Sequence, residues 1–307
     1  MVTAAIILKT VKCCNNHLIS MKTRKRRNFT KRYRRNFTKR YRRRNPSALV
    51  SIVLIVFSLL VMMMVYHENQ KKLRTPVISN LVEHDYDFSN LYSENGFILY
   101  EDDTYTSIPG IDVSSHQGAI DWKKVKEAGV QFAYIRCGYR GYETGLINKD
   151  ETFDYNISQA KANGIQVGVY FFSQAVSQKE AEEEAEFTLS CMKKYEIDLP
   201  VVYDFEKPGG IFARTYTQSK DVTTENAVLF CHIMQRKGYD AMIYNSTNLF
   251  EKLFNLEYIQ EFGTWVAHYN TPYPTYPYTY QIWQYSDSGK IDGIDQAVDL
   301  DLMFIRK

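Results

Sequence analysis

From Pro109 onward, short β-rich runs alternate with amphipathic helical stretches, and this alternation constrains the fold more than any other feature of the chain. A repeated strand-then-helix order argues for an α/β domain with mostly parallel strands. Eight runs read as strands: 110–115, 132–139, 166–173, 199–206, 240–246, 264–269, 280–287 and 297–304. Helices are expected at about 121–129, 153–163, 178–195 and 223–237, with a shorter one near 248–261. Eight strands with short or missing helices toward the C-terminal side predict a compressed TIM-like β/α barrel.

The local code is readable in the third helix. Ser177 and Glu180 have the spacing of a capping box, and Ala181, Ala185, Leu189 and Met192 form one apolar face. Glu182, Glu183, Glu184 and Glu186 are then expected to face water. Cys137, Cys191 and Cys231 are too few and too unevenly placed for a disulfide framework and read as small buried hydrophobes. The chain has no CxxC, no HExxH and no tight His cluster, so nothing in it calls for a metal or another cofactor.

The segment Val201-Val202-Tyr203-Asp204-Phe205-Glu206 carries the chemistry. Side chains alternate along a strand, so Val202, Asp204 and Glu206 share one face while Val201, Tyr203 and Phe205 share the other. With the apolar face turned outward onto helices, Asp204 and Glu206 point into the barrel mouth, their Cα atoms about 7 Å apart. Two neighbouring carboxyls in a partly dry cleft push their proton affinities apart, which leaves one protonated near neutrality. A proton donor beside an anion is what acid-assisted glycoside cleavage requires. Surface acids or a cation site would satisfy the bare Asp-x-Glu pattern equally. Asp112 sits where a first apolar run breaks into polar residues, the end at which barrel enzymes place their chemistry, or it caps a turn with Ser114 and Ser115.

These residues resemble glycoside hydrolase family 25, the lysozymes. GIDVSSHQG, IDWKKVKEAGVQFAYIRCGY, GIQVGVYFFS, VVYDFE, MIYNS, TWVAHY, IWQYSDSGKIDGI and AVDLDLMF follow in an order similar to that family's motifs across about 109–307. The resemblance implies a flattened β/α barrel that hydrolyses the β-1,4 bond between N-acetylmuramic acid and N-acetylglucosamine. It implies that Glu206 is the general acid, that Asp204 supports the reacting centre and that Asp112 completes an acidic cluster. Tyr170, Tyr244, Trp283 and Asp299 match cleft positions; Tyr244 and Trp283 read equally as core aromatics, and Asp299 as a structural hydrogen-bonding residue. Between Lys207 and Thr223 the chain departs from many relatives, with a longer loop expected to reshape the cleft or its peptide-stem preference. The tyrosines among the prolines of 272–280 suit either sugar rings or loop packing.

The N-terminal third is of another kind. Residues 1–44 hold 16 Lys and Arg and no acid, leaving 22 bases against 35 acids in the rest. Ser47 to Tyr66 runs 20 residues without a charge, enough for one transmembrane helix. The bases lie before it, so the N-terminus is expected inside, with 1–46 as a basic cytoplasmic tail, 67–108 as a polar extracellular stalk and 109–307 as the catalytic domain facing the cell wall. RNFTKRYR occurs twice, at Arg27–Arg34 and Arg35–Arg42. Juxtamembrane charge explains it without a nucleic-acid partner. Met21 is a second candidate start. The partners implied are peptidoglycan glycan strands and, through 47–66, the lipid bilayer. A non-catalytic wall-binding protein on the same fold, or a glycosidase of another N-acetylhexosamine polymer, remain alternatives.

Overall fold

Each of the eight expected β-runs becomes a strand. The structure, a computed structural model, describes residues 51–52, 54–64, 81–207 and 210–307. The chain divides into two units, Met1–Arg74 and Thr75–Lys307. In the second, the strands are β1 Leu91–Glu94, β2 Phe97–Tyr100, β3 Tyr105–Val113, β4 Phe132–Arg140, β5 Ile147–Lys149, β6 Gln166–Phe172, β7 Val201–Asp204, β8 Ala241–Ser246, β9 Gly263–Ala267, β10 Ile282–Gly289 and β11 Val298–Arg306. The helices are α1 Trp122–Glu127, α2 Phe153–Ala162, α3 Gln178–Met192, α4 Lys220–Arg236, α5 Thr247–Leu253 and α6 Leu256–Ile259.

The sheet runs β3-β11-β10-β9-β8-β7-β6-β4, and β3 pairs with β4 to close it into an eight-stranded barrel. β11 is antiparallel to both neighbours, and the other barrel pairings are parallel. An antiparallel return needs no crossover helix, so the helical coat thins around β10 and β11 as the sequence predicts. β5 is a short extra strand on β4.

Strand alternation sorts the apolar side chains into two cores. Phe132, Tyr134, Tyr170, Val202, Met242, Tyr244, Trp265 and Ile282 fill the barrel, whereas Val201, Tyr203, Phe205, Phe230, Met234 and Ile243 pack with the surrounding helices. The interior fits only because β6 carries a glycine: a Cβ on Gly168 would stand 2.2 Å from the Tyr134 ring. Cys137, Cys191 and Cys231 are buried and unpaired, as expected.

Two expectations change. Residues 67–108 were expected to form a stalk in which only segments such as Phe97, Ile98 and Leu99 pack on the following domain; in the described part, 81–108, that packing extends further, with Phe97 and Tyr100 buried and β3 starting at Tyr105. Tyr86 stacks on Phe304 with ring centroids 3.9 Å apart, and its hydroxyl donates to the Tyr280 carbonyl at 2.6 Å. Aromatic side chains scattered in a polar segment thus cover the sector between β9 and β11 that lacks a helix. In the facing loop Tyr276 and Tyr280 are buried as packing residues, and Tyr273 is exposed and stacked on Phe88.

The second change is on α3. Ser177 caps it through the Glu180 amide, but Glu184, expected in water, is fully buried. Arg140, at the end of β4, donates to it at 2.7 Å and Ser173 at 2.6 Å. A buried carboxylate needs such partners, and the pattern of the acidic run alone does not reveal an arginine 44 residues away.

Of the 47–66 segment, 51–64 is described, Val53 excepted, as helix with Ile52, Leu54, Phe57 and Met62 to Met64 exposed. Among the described residues no helix is long and apolar enough to cross a membrane. The basic tail 1–46 lies outside the described residues.

Candidate active site

β7 ends at Asp204, which follows Val202 on the inward face, and Glu206 lies two residues past the strand on the same side of the cleft. Three hydrogen bonds hold this short exit. The Ser173 amide donates to the Asp204 carbonyl at 2.7 Å, the Asn245 side-chain amide to that of Phe205, and the Gln174 side-chain amide to that of Glu206 at 2.8 Å. Thr215 donates to the other end of Gln174, so the loop after Glu206 braces the segment that carries it.

On the other side of the barrel, Asp112 of β3 stands directly across from Asp299 of β11, and Asp301 is one inward step below, across from Gly110. Gln284 of β10 orders this column. Its Oε1 accepts from Tyr244 at 2.7 Å and from Tyr269, which fixes the amide so that Nε2 donates to Asp112. Trp265 closes the floor, donating to Asp301 at 3.0 Å and meeting Tyr244 edge-on. Asp204 Oδ1 and Asp301 Oδ2 are buried without a hydrogen-bond partner among the described residues.

Arg136 is the one Arg or Lys among the described residues that line the cleft. It is tied to Asp150 at 2.9 Å and to Ser115 at 3.2 Å. The electrostatic consequence is uniform. Burial raises the proton affinity of Asp112, helped by Asp299, Asp301 and Asp204 and opposed by the Gln284 hydrogen bond. Burial likewise raises Asp204, with Glu206 adding to the effect and Arg136 opposing it. Glu206 is raised by the protein around its carboxyl even though the residue keeps an exposed face. Asp299 is pushed up to about 6, by burial first and then by Asp287 and Glu206. Buried carboxyls that face one another cannot all ionise, so the cluster holds protons above the usual carboxylate range.

The family profile of glycosyl hydrolases family 25 matches residues 111–294, which include the strands carrying Asp112, Asp204 and Gln284. The chain belongs to family 25. It is similar to an autolytic lysozyme of Clostridium acetobutylicum, 31% identical over 192 residues that cover 62% of this chain and 54% of the relative. The family-25 chain thus spans about half the length of that curated relative. Among solved structures it is similar to a bacterial lysozyme of Streptomyces coelicolor, with TM-score 0.55, 30% identity, and 63% of this chain and 90% of that one covered. It is also similar to the modular autolysin LytC of Streptococcus pneumoniae, solved with a synthetic peptidoglycan ligand, with TM-score 0.55, 28% identity, and 65% and 47% covered.

Of the positions singled out in the family-25 sequence, Asp112, Asp204, Glu206, Tyr170, Tyr244 and Asp299 line one cleft. Trp283 does not. Ile282 and Gln284 point into the barrel, so Trp283 points out, fully buried, with Nε1 donating to the His268 carbonyl at 3.0 Å. Trp265 takes the indole's place in the cleft. Arg136, Tyr269, Gln284 and Asp301 were not anticipated. Asp301 had a usable signal, since in Asp299-Leu300-Asp301 two acids again recur at the strand period.

Proposed function

We propose that this family-25 chain is a peptidoglycan muramidase that hydrolyses the β-1,4 bond between N-acetylmuramic acid and N-acetylglucosamine. One observation carries the reading: Glu206 stands at the open side of a cleft in which Asp112 and Asp204 are buried, and Arg136 is the one Arg or Lys lining that cleft among the described residues. A proton held by the Asp204 and Glu206 pair is within reach of an incoming glycan at Glu206, on the open side, while Arg136 opposes the burial that disfavours charge on Asp204.

Glu206 donates that proton to the glycosidic oxygen, and the bond to the anomeric carbon breaks with both electrons going to the leaving sugar. Asp204 stabilises the positive charge that develops on the ring, directly or by orienting the substrate's own acetamido group. A water then adds to the anomeric carbon and its proton returns to Glu206, while Asp112, held by Gln284, completes the carboxyl cluster that faces the reacting sugar. The autolytic lysozyme and the ligand-bound autolysin support this substrate class.

The localisation belongs to the same proposal. Segment 47–66 anchors the chain in the bilayer with the N-terminus cytoplasmic and the barrel facing the wall. The 20-residue uncharged run, the preceding bases and the exposed apolar side chains of 51–64 support it. Carbonate-resistant sedimentation with membranes, lost on deletion of 47–66, is the expected result; a chain extracted by carbonate refutes the anchor.

The decisive assay incubates the full chain with purified peptidoglycan and identifies fragments by mass spectrometry. Muropeptides with reducing-end muramic acid, absent with Glu206→Gln, are expected. A folded wild type that releases none would make the protein a wall binder.

A further inference from the structure

Half of the strongly exposed large apolar side chains in 81–307 crowd onto two loops. Ile211, Phe212 and Tyr216 come from the loop that follows Glu206, and Tyr142 and Leu146 from the turn between β4 and β5. Phe212 is 80% exposed and Ile211 70%, the highest values in that part of the chain. Both loops leave the C-terminal ends of parallel strands, β7 and β4, with only β6 between them, so they rise from the same rim as the cleft.

The two loops are built as one unit. The Arg214 amide donates to the Tyr142 carbonyl at 2.8 Å, and the Arg214 guanidinium pairs with Glu180 at 2.5 Å. That guanidinium packs so closely over Gly145 that a Cβ there would meet it at 2.6 Å. Arg140 donates to the Gly145 carbonyl at 2.8 Å from below. An apolar surface held in place by two arginines is not a frayed loop. It is a fixed and exposed crest, and exposed apolar surface of this kind marks a binding face.

The occupant follows from position and charge. Lys207, next in the chain to the cleft's Glu206, places its ammonium 5.9 Å from the Tyr216 ring. Glu143, exposed in the turn between Tyr142 and Thr144, supplies the opposite charge. A glycan strand lying in the cleft carries short peptides on alternate sugars, with methyl side chains, free carboxylates and an amine. We infer that the crest formed by Tyr142, Leu146, Ile211, Phe212 and Tyr216 binds the peptide stem of the substrate, so that the protein recognises stem-bearing glycan in preference to bare glycan. The inference rests on the muramidase reading and narrows its substrate.

The test compares the full chain with two variants, Ile211→Ser combined with Phe212→Ser, and Leu146→Ser. The second lies on the loop that does not carry Glu206. Each acts on peptidoglycan with intact stems and on the same glycan after an amidase has removed them. The wild type is expected to favour the stem-bearing substrate in kcat/KM. In the double variant that preference falls about tenfold, as expected for two large apolar contacts returned to water, through KM rather than kcat. Leu146→Ser lowers it less. A preference unchanged in both variants, or a wild type with no preference, overturns the inference. Co-sedimentation of Glu206→Gln proteins, with and without the crest substitutions, makes the same comparison without cleavage. If the wild type cuts neither glycan the muramidase reading fails, and the sedimentation ratio still decides whether the crest holds stems.

Discussion

Two parts of the barrel bury carboxyl groups, and they are built in opposite ways. Outside it, beneath α3, Glu184 accepts from Arg140 and Ser173, and the Ser173 hydroxyl lies 2.9 Å from that of Tyr203. Inside it, Asp112 and Asp204 line a cleft with Arg136, which is already committed to Asp150, Asp301 lies buried beneath the cleft floor, and one oxygen each of Asp204 and Asp301 has no partner among the described residues. Glu184 is a matched charge that joins a strand to a helix. The cleft holds unmatched charge, and that destabilising arrangement gives it protons to move.

Even the matched site is not free of strain, since burial pushes Glu184 up to about 7 despite Arg140. Arg140 divides its donors among Glu184, Glu183 and two carbonyls. The contrast is therefore one of degree in solvation and of kind in partners.

The largest effect that can break this contrast is on turnover. Glu206→Gln should reduce muropeptide release by at least about a thousandfold, the loss of an acid and its partner's balance, while the unfolding midpoint stays within a few degrees. Near-normal release would remove Glu206 from the role of acid. In the wild type the rate should fall as pH rises through the Glu206 proton equilibrium, which lies above the ordinary carboxylate range.

Next comes the matched site. Arg140→Leu leaves Glu184 buried without a counter-charge and should destabilise the protein by about 3–5 kcal/mol in urea unfolding. Glu184→Gln should be much milder. Equal losses would mean that the pair is held by shape and not by charge.

Beneath the cleft floor the sign reverses. Asp301→Asn keeps an oxygen for the Trp265 indole and removes a buried acid, so it should raise stability at pH 7 by about 1–2 kcal/mol. A loss of stability there would show that the column is matched after all.

The smallest effect is in the pH dependence. A carboxyl with a raised affinity binds more protons folded than unfolded between its unfolded value and its folded one, so stability falls as pH rises through that window. For Asp299 the window runs from the usual carboxylate range to about 6. Wild type should lose about 1 kcal/mol across it, discounted for partial exposure, and Asp299→Asn should flatten that slope in thermal melts taken from pH 4 to 7.

Much of this was legible in the sequence, and the failures share a cause. The period of two placed Asp204 and Glu206 on one face, and the strand-helix alternation predicted a closed barrel with few helices at one side. Trp283 shows the limit: a one-residue phase error moves an indole from the cleft to the outer core, and only the polar Gln284 beside it marked which residue turned inward. Glu184, Tyr86 and Tyr100 were misjudged because their partners, Arg140, Tyr280 and Phe304, lie far along the chain. Local pattern says which face a residue takes but not what waits opposite. Asp301 was missed although Asp299 and Asp301 repeat the spacing that made Asp204 and Glu206 conspicuous.

The closing strand has a temporal meaning. β11 inserts between β10 and β3, and its partner Asp112 precedes Asp299 by nearly the whole barrel. Until β11 arrives, β3 and β10 present open edges and the carboxyl column lacks two of its three members. The carboxyl column is therefore a product of barrel closure: without the pairing of β11 to β3, Asp112 has neither Asp299 nor Asp301 beside it.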